Sequence, residues 1–345
     1  MSERRREPGH GGLKEPLTRR AFTRWLAGVL GIGATASYLA LAPEEWPFSR
    51  ADPTGRRRQP RPRLSSLRDY RVTPPAGAAA LGVGRDTNEA TRLRKALDAV
   101  GGLGRYVKSG EIVLVKPNAA FDRSPHLGAT TNPAILEELI RMLLVDHRVA
   151  EVRVADNPIE SPADCFAKSG MTAAVDRAGA RLMLPDANAF RWIKTSGARL
   201  IESWPVFFRP LRGVDKVIGI APVKDHNLCR ASLGMKNWYG LLGGRRNQLH
   251  QDIHEVVSDL SLMIRPTLTI VDGGRVLMRN GPTGGDPSDV KLGKVVTVGS
   301  DPVALDTWCY KHLLERSDEL PAYLAKAEAK GSGRMDYRGR VREIT

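Results

Sequence analysis

Apolar residues gather first in one unbroken stretch, Trp25 to Ala42, and from about residue 76 onward in short runs set between polar turns. The two patterns predict different things. The first follows a polar, basic opening that ends in Thr18-Arg19-Arg20-Ala21-Phe22-Thr23-Arg24. A basic region followed by a modest apolar region is a targeting segment. The paired arginines with Phe two residues on resemble a twin-arginine signal, with Thr23 in place of the usual Leu. Ala34-Thr35-Ala36 offers small residues for cleavage, and 18 apolar-run residues also suit an uncleaved membrane anchor. Residues 43–75 are rich in Pro and Arg and read as an extended, disordered linker.

The second pattern alternates strand and helix periods. Strands are expected at Ala79–Val83, Glu111–Val115, Val152–Ala155, Arg181–Leu184, Lys216–Ile220, Leu268–Asp272 and Val295–Ser300. Helices are expected at Asn88–Val100, Pro133–Val145, Asp164–Ala178, Ile253–Met263 and Pro302–Leu314. In the first helix Ala90, Leu93, Leu97 and Val100 share one face, and Pro133 sits in the first turn of the second. The alternation predicts an α/β domain over 76–318, a mostly parallel sheet with helices on both faces. Residues 319–345 read as a charged tail with at most a short helix.

In parallel sheets ligands bind beyond the carboxyl ends of the strands. The polar residues that follow the apolar runs therefore belong together: Lys116 and Asn118, Asp156 and Asn157, Lys224 to Asn227, Asp272 with Gly273, and Ser300 with Asp301. Lys224 to His254 is the densest stretch, and it holds three of the seven histidines. His250 and His254 stand four apart; on one helix face they would ligate a divalent transition metal together with His226. A solvent-facing pair is the competing reading. Gly234 to Gly244 combines glycines with Lys236 and Asn237, and Arg245 and Arg246 follow; this suits a phosphate or carboxylate. Asp272 serves equally as a base, a ligand or a turn cap. Asp301 before Pro302 reads as a helix cap.

Charge changes the picture only slightly. The chain carries a net +15, but residues 1–66 hold 13 Lys/Arg against 6 Asp/Glu. The remainder, 40 against 32, is mildly basic, which fits an anionic ligand and gives no reason to expect nucleic acid. Cys165, Cys229 and Cys309 include no CxxC pair, so no ferredoxin-type iron–sulfur cluster is expected.

Several motifs, in order, resemble a known family. They are Val113-Leu114-Val115-Lys116-Pro117-Asn118, Pro222-Val223-Lys224-Asp225-His226, Leu233-Gly234-Met235-Lys236-Asn237 with Gly240-Leu241-Leu242, and His250. Leu268 to Gly273, Gly281-Pro282 and Asp301 to Asp306 complete the order. Together they resemble domain of unknown function family 362 over roughly 76–315. The resemblance implies no agreed activity. Some members carry an added ferredoxin-like module, which is missing here.

Three functions remain open. The first is an enzyme acting on a small anionic substrate with metal or cofactor assistance. Lys236, His226 and Asp272 would be its catalytic residues; Lys116, Asn118, Lys224, Asn237, Gly273 and Gly281 its cofactor-binding ones; His226, His250 and His254 its metal ligands. The second is a non-catalytic ligand- or cofactor-binding protein of the cell envelope. The third is a structural envelope protein whose basic linker meets anionic lipid. In each, the twin-arginine export machinery is the first partner and the location is periplasmic or membrane-anchored, facing out of the cytoplasm.

Overall fold

The structure is a computed structural model that describes residues 64–74 and 78–345. The expected signal or anchor segment, and the linker as far as residue 63, lie outside the described residues.

β1 (Leu81–Arg85) leads through α1 (Glu89–Ala99), β2 (Ile112–Lys116) and α2 (Pro133–Arg141) to β3 (Glu151–Val154). Two short helices, α3 (Pro162–Lys168) and α4 (Met171–Ala178), precede β4 (Arg181–Leu182) and a separate hairpin, β5 (Phe190–Lys194) with β6 (Ser203–Phe207). β7 (Lys216–His226) turns back through β8 (Arg230–Ser232) into α5 (Gly234–Asn237), α6 (Ile253–Met263) and β9 (Leu268–Leu277). β10 (Val290–Leu292), β11 (Val295–Gly299), α7 (Pro302–His312), α8 (Ala322–Ala329) and β12 (Val341–Ile344) follow.

The main sheet has the order β12–β1–β11–β9–β7–β2–β3–β4, with β8 and β10 as short flanking pairs. β4, β3, β2, β7 and β9 are all parallel, as the strand–helix alternation predicts. Neighbouring residues of one strand point to opposite faces. Val113 and Val115 accordingly enter one hydrophobic cluster with Leu97 of α1 and Leu136 of α2. Leu114 enters another, with Val256 and Leu260 of α6 and Leu324 of α8. Both faces are thus covered, and each strand of the middle is apolar on both sides.

The helices start where capping chemistry dictates. Asn88 accepts from the Thr91 amide, and Asn132 precedes Pro133 and accepts from the Ala134 amide. Asp301 accepts from the amides of Val303 and Ala304, as the capping reading expected.

Four expectations need correction. β7 and β9 do not stop at Ile220 and Asp272; both run on past an irregularity at Pro222/Val223, so Asp272 lies inside a strand. β11 is antiparallel to β9, which puts Ser300 and Asp301 on the opposite edge from the other strand-end groups. The segment after 318 is folded: α8 packs in the core through Tyr323 and Leu324, and β12 pairs with β1. Last, the end of the expected linker is part of the domain. Tyr70 is 4% exposed, its amide donates to Arg265 O at 3.0 Å, and Thr267 Oγ1 donates to its carbonyl at 2.8 Å.

Candidate functional site

At the carboxyl ends of β2, β3 and β7 the sheet opens into a cavity with about 520 Å3 of empty space, its mouth included. β2 ends in Lys116, Asp156 follows β3, and the extended part of β7 supplies Lys224 and His226. α5 and the turn after it bring Lys236, Asn237 and Tyr239; the 3-10 turn Arg246–Asp252 brings Arg246 and His250.

A four-residue helix cannot hold itself in place by hydrogen bonds alone. α5 is held by Asp306 of α7, whose carboxylate accepts from the amides of Gly234 at 2.9 Å and Met235 at 3.0 Å. Tyr323 of α8 donates to the same carboxylate at 3.4 Å. Burial raises the Asp306 carboxyl to about 7. Gly240 closes the floor: a Cβ there would come within 2.0 Å of Asp156 Oδ1 and 2.7 Å of Lys116 Nζ. Only glycine lets the chain pass that ion pair.

The three lysines have three different sets of partners. Lys116, fully buried, pairs with Asp156 at 2.7 Å and donates to Asn237 Oδ1 at 2.9 Å and Pro117 O at 2.7 Å. Three oxygens thus surround its ammonium. Asp156 also accepts from the Ala119 amide at 2.7 Å. Lys224 is 1% exposed and donates to two neutral oxygens, Ala129 O at 2.8 Å and Asn118 Oδ1 at 3.2 Å. Among the described residues no carboxylate pairs with it. Lys236 is only partly covered; its Nζ sits 5.2 Å from the Tyr239 ring centre and has no hydrogen-bond acceptor among the described residues. Arg246 donates to two backbone carbonyls, Leu242 O at 3.2 Å and Pro158 O at 2.6 Å, and likewise meets no carboxylate among them.

Four cationic side chains thus share one cavity with a single carboxylate. Burial lowers the pKa of all three lysines and of Arg246. For Lys224, burial and then the neighbouring charges of Lys236 and Lys116 bring it down to about 7. An anion entering the cavity would reverse these shifts.

The imidazoles are placed differently from the helix-pair expectation. His250 lies in the 3-10 turn and His254 in α6, which begins only at Ile253, so the two do not share a helix face. His254 stacks against Tyr323 at 6.2 Å and does not line the cavity. His226 Nδ1 accepts from the Leu228 amide at 3.2 Å, which assigns the ring proton to Nε2. Burial pushes its pKa down to about 2, so the ring is neutral. His250 Nδ1 lies 3.2 Å from Asn247 O, an acceptor only, and 3.2 Å from the Tyr239 hydroxyl, whose own proton goes to Arg246 O; this assigns the ring proton to Nδ1 and the lone pair to Nε2. Among the described residues no group of three or more His, Cys, Asp or Glu is arranged to hold a metal.

Of the residues singled out by sequence, Lys116, Asn118, Lys224, His226, Lys236, Asn237 and His250 meet at the cavity. Gly281 contributes indirectly: a Cβ on it would strike Asp225 O at 2.0 Å, and this close approach sets Pro282 into the cavity wall. Asp272 and Gly273 do not join them. The Asp272 carboxyl is raised above the ordinary carboxylate range by burial, against the opposing pull of the Gly274 amide, which donates to it at 2.8 Å, and of Arg92. Gly273 packs under Leu313. Sequence reasoning undervalued Asp156, although its place directly after β3 was a signal, and it missed the support from Asp306 and Tyr323.

Comparison with known proteins adds context. The family model described as "Domain of unknown function (DUF362)" matches residues 113–311. A thylakoid-associated protein of Synechocystis sp. is 26% identical over 232 residues, covering 62% of this chain and 66% of that protein. A solved protein of Thermotoga maritima superposes with a TM-score of 0.37 at 13% identity, over 71% of this chain and 59% of its own. The lactate racemase apoprotein of Thermoanaerobacterium thermosaccharolyticum superposes with a TM-score of 0.33 at 14% identity, over 60% and 53%.

Proposed function

The chain belongs to the DUF362 family, and we propose that this member is an enzyme whose cavity binds a small anionic substrate or cofactor bearing a carboxylate or phosphate. The imbalance of charge carries the reading: Lys116, Lys224, Lys236 and Arg246 against Asp156 alone. Lys116 spends its charge on Asp156 and shapes the floor. Lys236 and Arg246 keep theirs for the ligand, and an anion so placed gains charge-assisted hydrogen bonds in a low-dielectric site. His250, with a free Nε2, is the group that takes a proton, and His226, with Nε2–H, is a donor toward developing negative charge.

Thermal stabilisation by phosphate and simple carboxylates is the test. A ligand at 100 times its Kd adds about 2.7 kcal/mol to stability. The wild type is expected to gain stability with at least one anion, and Lys236→Ala to lose most of that gain. No stabilisation of the wild type by any of them sinks the reading. Non-catalytic binding is the alternative; a tightly bound anion released unchanged after prolonged incubation would favour it. A divalent metal joins the reading through His250 alone, since the His226 proton occupies the nitrogen a metal would need. Metal content of the native protein, unaltered in His250→Ala, would remove it.

Export by the twin-arginine route completes the proposal. Its support is the arginine pair ahead of an apolar run; the thylakoid association of the Synechocystis relative accords with work near a membrane. Among the described residues no helix is long and apolar enough to cross a membrane, so any anchor falls to the N-terminal segment. Replacing Arg19 and Arg20 by lysine should hold the protein in the cytoplasm; unchanged export refutes the route.

A further inference from the structure

We propose that Lys224 is a covalent nucleophile whose Nζ condenses with the carbonyl carbon of a small anionic keto or aldehyde acid to form an imine. The inference rests on the anion reading above and names the substrate class within it.

The three lysines of the cavity are sorted by their partners. Lys116 is held by a carboxylate and two further acceptors, so its nitrogen has no free electron pair to offer. Lys236 is the most exposed of the three and stands ready to hold a charge. Lys224 combines three features a nucleophilic amine needs. It lines the cavity while 1% exposed, so water does not solvate its charge. It has no carboxylate partner among the described residues, and the like charges of Lys236 and Lys116 outweigh the opposite charge of Asp156 beside it. Its two acceptors, Ala129 O and Asn118 Oδ1, take two hydrogens, and besides them its Nζ meets only the Phe121 ring, 5.2 Å from the ring centre, so a neutral amine would satisfy both oxygens and keep its lone pair. Burial and cationic neighbours are how an amine is activated at neutral pH, and a value of about 7 accords with that arrangement.

The chemistry balances within the site. The Nζ lone pair forms the new C–N bond while the C=O π pair moves to oxygen. The two amine hydrogens leave with that oxygen as water, and a C=N bond remains. Nothing is oxidised or reduced. The substrate's anionic group sits on Lys236 and Arg246, and His226 Nε2–H donates to the departing oxygen.

The full chain is incubated with pyruvate or glyoxylate and sodium cyanoborohydride, then digested and mapped by mass spectrometry. The reductant adds hydride to the imine carbon and fixes the adduct as a secondary amine. The expected result is modification of Lys224 at least about tenfold above any other lysine, and its loss in Lys224→Gln. Mapping the wild type needs no variant, so a misfolded mutant leaves the test intact. Calorimetry with the same acids, without reductant, separates the two readings. Binding without a Lys224 adduct, or an adduct centred on Lys116 or Lys236, overturns the imine and leaves the anion site standing. No binding of these acids, of phosphate or of simple carboxylates overturns both.

Discussion

Two clusters of charge around buried groups lie in this domain, and they follow opposite rules. Near α6, Glu255 and Asp259 meet Lys326 and Lys330. Lys330 Nζ lies 2.7 Å from Glu255 Oε1 and 2.5 Å from Asp259 Oδ1, and Lys326 Nζ lies 2.8 Å from Glu255 Oε2. Asp259 also accepts from the amides of Arg199 and Leu200. Arg199 adds a third cation, 3.5 Å from Glu255 Oε1, and pairs in turn with Asp252, so three carboxylates are matched by three cations and α8 is tied to α6. At the cavity four basic side chains face one carboxylate. Charge buried in balance supports the fold; charge buried in excess opposes it and is retained for something that arrives later. The difference separates a structural cluster from a functional one where residue types alone do not.

Lys330→Met should break the balanced cluster most severely. It leaves Asp259, with its side chain 0% exposed, without its cation, and truncating one partner of a buried pair costs about 3–5 kcal/mol. Urea unfolding reads it, and a loss below about 1 kcal/mol would show that the pair is no more than a surface contact. Asp306→Asn comes next. It removes one acceptor from the two amides of α5, at about 1–2 kcal/mol, and loosens Lys236. Anion-induced stabilisation should fall along with the unfolding midpoint; a stability loss with anion response intact would confine Asp306 to packing.

The pH dependence should fall in different windows for the two clusters. Hydrogen bonds from Lys326 and Lys330 hold Glu255 at about 2, below its ordinary 4.5. Its contribution is complete above 4.5 and is lost as pH falls toward 2, so Glu255→Gln flattens the acid limb of the stability curve. Lys224 gives a slope of the same sign in a higher window, but there the shift marks a penalty on the buried ammonium and not a gain from ion pairing. Its folded value of about 7 lies below the ordinary 10.5. Between those values the unfolded chain holds the extra proton, so stability rises with pH across that window. Lys224→Met should remove that slope, and an unchanged slope would place the titration elsewhere. The smallest effect belongs to Lys236→Met, within about 0.5 kcal/mol of wild type, because no partner is orphaned. A loss comparable to that of Lys330→Met would erase the contrast between the clusters.

Much of the fold was legible along the chain. Apolar runs bounded by Pro and Gly marked the parallel strands, and Asn132-Pro133 and Asp301-Pro302 marked helix starts by local chemistry. Lys236 and Asn237 were legible as site residues because they sit in a glycine-rich stretch, and Lys116, Asn118, Lys224 and His226 because parallel strands end on one edge. The same rule misplaced Asp301, since the direction of β11 is set by its pairing with β9 and not by its own residues. It also misplaced Asp272, since β9 continues through Gly273 and Gly274. His250 and His254 were spaced for one helix, but the helix begins after the first of them.

The sequence by itself determined the α/β class, the strand-end lysines and asparagines, and the segment of arginines and apolar residues that precedes the domain. Those are properties of local pattern: period, capping and turn residues act over a few positions. Only the tertiary structure decided which charges are paired. Lys116 finds Asp156 across β2 and β3, Asp306 reaches α5 from α7, and Lys224 is left with two neutral oxygens. Pairing depends on distance and burial between residues far apart in the chain, and it is this pairing that leaves one lysine ion-paired, one without an acceptor and one with neutral partners alone.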